Sequence, residues 1–143
     1  MADIRLQGLE MTIQGRQFPD ANDFWDGNSL IASAKCEDQG ASVSITGSFV
    51  RLTELAQWLT AVETMQKTLK GSADLKTIEP LLRVQMQIDK LGHIKLSVNI
   101  TPDHLGQAHR FDFSGLDQSD LPVLIGQLKA ILERFPVKGK QRD

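Results

Sequence analysis

The chain has 143 residues, of which 41% are hydrophobic and 24% are charged, and its formal net charge is −2. This composition is typical of a single folded domain with a substantial core, and it argues against a disordered chain. The 16 basic residues are scattered rather than gathered into a stripe, which disfavours a nucleic acid partner.

The cysteine content and the apolar runs indicate the compartment. The single cysteine, Cys36, cannot form an internal disulfide. No apolar run approaches the ~20 residues that cross a bilayer, and residues 1–10 lack the features of an export signal. We therefore expect a cytoplasmic protein with no membrane partner.

Four strands are predicted in the first third of the chain. Apolar residues alternate with polar ones at 4–6 and at 9–13, but with opposite parity, so a turn or bulge is expected at Gly8. Two further alternating segments at 30–36 and 43–49 predict a second pair of strands.

Residues 17–28 have the composition of a loop but carry three aromatic rings, at Phe18, Phe24 and Trp25. Two interpretations are open. The rings fold over the edge of the core, which is the expectation we favour, or the loop displays a binding surface.

The second half of the chain begins with a helix. Apolar residues recur at helical spacing from Leu52 to Leu69, and Gly71 is placed to end the helix in the left-handed conformation. Alternating patterns then predict a hairpin of strands at 82–88 and 94–100 and one more strand at 109–113.

A second amphipathic helix is predicted from Leu121 to Phe135, ended by Pro136. Asp117 or Ser119 is placed to cap its first turn, which explains these side chains without any catalytic role.

The predicted fold class is α+β, with one antiparallel sheet of about six to seven strands and two amphipathic helices packed on one face of it, in the order ββββ-α-βββ-α. A single domain is expected over residues 1–137, followed by a polar and disordered tail at 138–143. The other sheet face would meet water. It would display Glu10, Thr12, Gln14, Arg83, Gln85, Gln87, Asp89, Lys95, Ser97, Asn99, Arg110 and Asp112.

No motif in the sequence indicates catalysis or a cofactor. Phosphate-binding glycine motifs and the G-x-S-x-G nucleophile motif are absent. His93 and His109 would lie roughly 23 Å apart along the predicted strands, so they cannot share a metal ion. His104 and His109 could approach each other, but no third ligand for a metal ion is evident. Cys36 shares a strand face with alanines and is expected to be a buried hydrophobe. We predict a protein that is not an enzyme, with no metal and no cofactor.

Several short motifs together resemble a known family in their order and spacing. They are Phe18-Pro19-Asp20, Trp25-Asp26-Gly27, Leu69-Lys70-Gly71, Glu79-Pro80, Gly92-His93-Ile94, Phe111-Asp112-Phe113 and Asp117-Gln118-Ser119. The resembling proteins are the bacterial immunity proteins of the WapI type, which are named for the wall-associated contact-dependent toxin that they neutralise.

The resemblance implies a cytoplasmic protein that binds the C-terminal domain of a cognate polymorphic toxin and blocks it by occlusion. The family has no catalytic residues to transfer, so the expected contact residues come from the sequence pattern. They are Asp20, Asp23, Trp25 and Asp26 in the loop, and Arg83, Gln85, Gln87 and Asp89 on the open sheet face. The alternatives are a structural or regulatory interaction module, which would bind another partner or self-associate through the open face, and a small-ligand-binding domain.

Overall fold

The computed structural model describes residues 1–140, which contain eight strands and two helices. The strands are β1 (Ile4–Leu6), β2 (Leu9–Arg16), β3 (Ser29–Asp38), β4 (Ala41–Arg51), β5 (Leu75–Lys76), β6 (Leu82–Ile88), β7 (His93–Ile100) and β8 (Arg110–Asp117). The helices are α1 (Leu52–Thr68) and α2 (Leu121–Arg134), and a short 3-10 turn precedes each of β3 and α2.

The strands form two four-stranded antiparallel sheets, so the prediction of a single sheet was wrong, although the α+β class is confirmed. The first sheet has the order β1-β2-β3-β4, and the second has the order β5-β6-β7-β8. The predicted order of elements also lacked β5, whose two residues lie between the predicted first helix and the predicted hairpin. Alternation identifies strands and their buried faces, but it contains no information about which strands share hydrogen bonds.

The residues predicted to share one open sheet face are consequently divided between the two sheets. Glu10, Thr12 and Gln14 lie on β2 in the first sheet. The predicted face residues from Arg83 to Asp112 belong to the second sheet or to the turn after β6.

Both sheets and both helices share one hydrophobic core. Each sheet buries its apolar face, and Cys36 is fully buried there, as predicted. The helices pack on each other, α1 also contacts β4 and β5, and α2 contacts β1. Trp58 of α1 is fully buried and is the largest such side chain, although the helical pattern predicted from the sequence did not include it.

A tight turn joins β1 and β2 at Gln7 and Gly8, which confirms the turn predicted there. Gly8 packs closely against its neighbours. A Cβ atom at this position would collide with the main-chain oxygen of Glu37 and would lie 3.0 Å from the ring of Phe113. Only glycine fits at this position without displacing backbone.

Helix α1 is held at its start by Glu54 and stops at Leu69. The carboxylate of Glu54 accepts hydrogen bonds from the main-chain N–H of Arg51, at 2.7 Å, and of Ile78, at 2.8 Å. Leu69 adopts the left-handed conformation with φ 55 and is half exposed. The prediction that Leu69 lies on the core face was therefore wrong. The helix ends in the left-handed conformation at Leu69 rather than at Gly71, although Gly71 also has a positive φ, of 88.

The cap predicted for the second helix belongs to the 3-10 turn Gln118–Asp120 that leads into α2, and the N-cap residue of α2 itself, Asp120, makes no side-chain capping bond to that helix. The Asp117 carboxylate accepts from the Ser119 N–H at 2.8 Å, and the Asp120 carboxylate accepts from the Asp117 N–H at 3.0 Å. These contacts satisfy main-chain donors that the first turn leaves unpaired.

Candidate protein-binding site

Residues 17–28, which we call the aromatic loop, connect β2 to β3 and display their rings. Phe18 is 45% exposed and Trp25 is 46% exposed. Phe24 packs edge-on against Trp25, with ring centroids 5.1 Å apart. None of the three rings belongs to the hydrophobic core or to the side chains packed against it. The expectation that the rings cover the core was therefore wrong, and the displayed surface is the arrangement observed.

The aromatic loop also carries three carboxylates. Asp20, Asp23 and Asp26 are all exposed on the aromatic loop. Asp23 accepts a hydrogen bond from the Asp26 N–H at 3.0 Å, and this bond is the main reason why the pKa of Asp23 lies below its ordinary value. Asp23 is thus ionised at neutral pH, next to apolar surface.

A buried asparagine fixes the shape of the aromatic loop. The Asn28 side chain is fully buried and donates to the carbonyl of Phe24, at 2.6 Å, and to that of Lys138, at 2.8 Å. Its oxygen accepts from the Lys138 N–H at 2.8 Å. One side chain therefore satisfies three main-chain groups, two of them 110 residues away in the sequence.

Two cations complete this support. The Lys138 ammonium donates to the carbonyls of Pro19, at 3.0 Å, and Ala21, at 3.1 Å. The guanidinium of Arg16 donates to the carbonyls of Gly27, at 2.6 Å, and Pro136, at 2.5 Å. The predicted tail at 138–143 thus begins with a residue that is hydrogen bonded to the aromatic loop, whereas residues 141–143 lie outside the described part of the chain.

The aromatic loop and the residues after α2 enclose a cleft of about 620 Å³. It is lined by Asn22, Asp23, Phe24, Trp25, Gly139 and Lys140. A concave surface beside a half-exposed tryptophan can accept a side chain of a protein partner.

The other predicted contact residues lie on the second sheet. Arg83, Gln85 and Gln87 are exposed on β6, in register with Asn99, Ser97 and Lys95 of β7. Asp89 lies in the β6–β7 turn, where its carboxylate accepts from the N–H groups of Leu91, at 2.8 Å, and His93, at 3.0 Å. These bonds, led by that from His93, hold the pKa of Asp89 below its ordinary value, so Asp89 has a structural role in the turn.

The two predicted groups of contact residues are not joined. Within residues 1–140, the hydrogen bonds of the aromatic loop lead to the first sheet and to the residues after α2, and none leads to the open face of the second sheet. Sequence reasoning missed the roles of Asn28 and Lys138, which support the aromatic loop. No local pattern marks them, because each acts on residues distant in the chain.

Other chemistry finds little support in the described residues. No group of three or more His, Cys, Asp or Glu side chains within residues 1–140 is arranged to hold a metal ion. Burial raises the pKa of the Cys36 thiol to about 11, so this thiol is a poor nucleophile at neutral pH. None of the helices in residues 1–140 has the length and apolar character needed to cross a membrane.

Comparison with known proteins finds a family that matches the chain and solved structures that are similar to it. A model of the immunity protein WapI-like family matches residues 2–136. The structure of the plant transcriptional regulator PBF-2 has a TM-score of 0.51 at 7% identity, covering 89% of this chain and 75% of that one. The crystal structure of WHY3 from Arabidopsis thaliana has a TM-score of 0.48 at 12% identity, covering 92% and 85%. At 7% identity the likeness to the PBF-2 structure is one of fold alone. No curated protein matches the chain.

Proposed function

Because the chain belongs to the immunity protein WapI-like family, we propose that it binds the C-terminal domain of a cognate polymorphic toxin and neutralises it by occlusion. The family match over residues 2–136 confirms the resemblance predicted from the motifs. In this role the protein acts stoichiometrically in the cytoplasm of the producing cell and needs no turnover.

The aromatic loop is the proposed contact site, and its display of rings is the observation that carries the assignment. Half-exposed aromatic side chains outside the core are the residues that most often anchor protein interfaces. Trp25 supplies such an anchor, and the adjoining cleft accepts a side chain in return.

The support of the aromatic loop favours tight binding. A loop that is already held by Asn28, Arg16 and Lys138 loses little conformational entropy when a partner docks. Its backbone is therefore preorganised, unlike that of a loop that orders only on contact.

The charges of the loop indicate the chemistry of the partner surface. Asp20, Asp23 and Asp26 are exposed on the same loop as Trp25, so a toxin surface carrying Lys or Arg side chains would be complementary to them. The net charge of −2 is small, so we propose that recognition depends on this local cluster rather than on the overall charge. Arg83, Gln85, Gln87 and Asp89 form a second and separate contact region in the proposal.

The proposal is tested by co-purification followed by titration. The tagged protein is expressed at native level, and the partner retained after a salt wash is identified by mass spectrometry. The recovered toxin domain is then titrated by calorimetry against Trp25→Ala. We expect this variant to lose about 30-fold or more in affinity, since an interface anchor contributes about 2 kcal/mol.

Two controls separate the contact site from general effects. Leu105→Ala removes an apolar side chain that is 88% exposed in the β7–β8 loop, and we expect it to bind as the wild type does. If instead Gln85→Ala weakens binding and Trp25→Ala does not, the open face of the second sheet is the site. Recovery of no toxin domain, with the neighbouring gene co-expressed, would favour a regulatory module or a small-ligand binder.

A further inference from the structure

The outer edge of β4 differs from the other sheet edges. The two sheets end in β1, β4, β5 and β8. Strands β1 and β5 have three and two residues, and β8 carries Arg110, Asp112 and Asp117. Strand β4 has 11 residues, and from Ala41 to Val50 it contains neither a charged residue nor a proline. Charge, proline, short length and bulges are devices that keep strand edges from pairing. Residues 41–46 of β4 have no charge and no proline, and the register shift of the β3–β4 pair lies beyond them, between Gly47 and Val50.

The turn before β4 identifies the main-chain groups that face outward. Gln39 and Gly40 have φ values of 50 and 88, as in a two-residue hairpin turn, and Asp38 is in register with Ala41. In such a hairpin the pair that flanks the turn is hydrogen bonded, and bonded and non-bonded pairs alternate from there. The main-chain groups that point away from β3 are therefore those of Ser42, Ser44 and Thr46.

These outward groups are accessible. The side chains of all three residues are exposed. Among the hydrogen bonds of residues 1–140, none joins the main chain of 42–46 to a group outside the β3–β4 ladder. The edge thus presents three N–H donors and three carbonyl acceptors in a regular row.

We propose that this edge pairs with the same edge of a second copy of the chain, antiparallel and centred on Ser44. A two-fold axis at Ser44 sets it opposite its own copy and sets Ser42 opposite Thr46. Each of the three resulting pairs exchanges two main-chain hydrogen bonds, which makes six in all. The two first sheets join into one continuous sheet of eight strands.

The side chains agree with this occupant. On the water-facing side, the paired side chains are those of Ser42, Ser44 and Thr46, and all of them carry hydroxyl groups. Hydroxyl pairs across antiparallel strands are favourable. On the core-facing side of the joined sheet, Val43 of one copy lies opposite Ile45 of the other. Val43 is half-buried in the single chain. No like charges meet across the axis, because the strand has no charged residue in this stretch.

The contact uses the edge of the first sheet, at residues 42–46, and none of the residues proposed to bind the toxin. It therefore does not depend on the proposed function. The pairing surface is small compared with the standard interface, so we expect dissociation constants in the micromolar to millimolar range, about 10 µM to 1 mM.

Sedimentation velocity of the full chain over that concentration range tests the proposal. The expected result is a shift from the 15.9 kDa monomer towards twice that mass as the concentration rises. Ser44→Lys places two ammonium groups on the axis, and Ser44→Glu places two carboxylates there, so each variant alone is expected to remain monomeric. Mixed in equal amounts they are expected to dimerise, because opposite charges then meet on the axis.

Gln85→Lys is the matched control, since it adds the same charge at an exposed position on the second sheet. It is expected to dimerise as the wild type does. A wild type that stays monomeric at the highest concentration overturns the proposal, as does a mixture of Ser44→Lys and Ser44→Glu that stays monomeric. If amide exchange at 42–46 slows only when the toxin domain is added, the occupant is a strand of the toxin, and the proposal of a second copy is wrong.

Discussion

The guanidinium carbon of Arg51 lies 5.6 Å from the centroid of the Trp25 ring. Arg51 is the residue at which β4 ends and α1 begins, so this contact connects the exposed ring to the core elements beneath it. A cation over an aromatic face is attracted to its negative potential, and the ring is thereby held in one orientation.

Arg51→Ala is expected to loosen Trp25 without unfolding the protein. The lost cation–π contact contributes about 0.5–1 kcal/mol, which corresponds to a loss of roughly 2- to 5-fold in toxin affinity. Acrylamide quenching of tryptophan fluorescence measures the effect directly, because Trp58 is fully buried and only Trp25 is accessible to the quencher. Quenching should increase in Arg51→Ala and stay unchanged in the exposed control Arg83→Ala. Equal quenching in all three proteins would contradict the proposed role of Arg51.

Asn28→Ala is expected to lower the free energy of unfolding by about 2–3 kcal/mol, because it leaves main-chain groups of Phe24 and Lys138 without their partner. Urea denaturation measures the difference. Asn22→Ala removes the same side chain from an exposed position in the same loop and should change the free energy by less than about 0.5 kcal/mol. If both variants unfold alike, the buried amide does not support the loop.

Glu54 gives the stability a specific dependence on pH. Burial raises the pKa of its carboxyl above the ordinary value of 4.5, against the opposing effect of the hydrogen bonds from Ile78 and Arg51. The folded protein then retains this proton to a higher pH than the unfolded chain does. The stability contributed by this group is present below 4.5 and is lost as the pH rises through the folded pKa.

Glu54→Gln removes this titration. The free energy of unfolding of the variant, relative to the wild type, should therefore increase with pH from about 4.5 and level off above the folded pKa. Urea denaturation at a series of pH values tests the prediction. Glu133→Gln, at an exposed position on α2, controls for the change in net charge. A difference that falls as the pH rises would mean that the carboxylate, not the acid, is the form favoured by the fold.

Two glycines should respond in opposite directions to alanine. Gly8→Ala brings a Cβ against the Glu37 carbonyl and is expected to destabilise the protein by more than about 2 kcal/mol. Gly126 lies exposed on α2, and no atom lies within 4 Å of the position that an added methyl group would take, so Gly126→Ala should stabilise by roughly 0.5–1 kcal/mol. Thermal unfolding distinguishes the two. A neutral Gly8→Ala would show that the β1–β2 turn can move away from Glu37.

Periodicity predicted the elements of this fold better than their arrangement. Alternation located seven of the strands, and helical spacing located both helices, because the buried face of each element dictates which positions are apolar. It did not separate the two sheets, since strand pairing depends on contacts between distant residues. Trp58 was missed because the chosen helical stripe passed beside it, although its side chain is fully buried.

The candidate site was predicted only in its local composition. The rings and carboxylates of the aromatic loop are visible in the sequence, and their identity indicated a surface for a protein partner. Their exposure depends on Asn28 and Lys138, which lie 110 positions apart and carry no common pattern. Long-range hydrogen bonds of this kind cannot be predicted from one sequence.

The bond between Asn28 and Lys138 also has a consequence for synthesis of the protein. Residues 17–28 are translated well before Lys138, since 110 positions separate Asn28 from Lys138, yet the final shape of the aromatic loop requires Lys138. Protection against a toxin by the proposed loop would therefore begin only once residue 138 has emerged, and a growing chain would offer none.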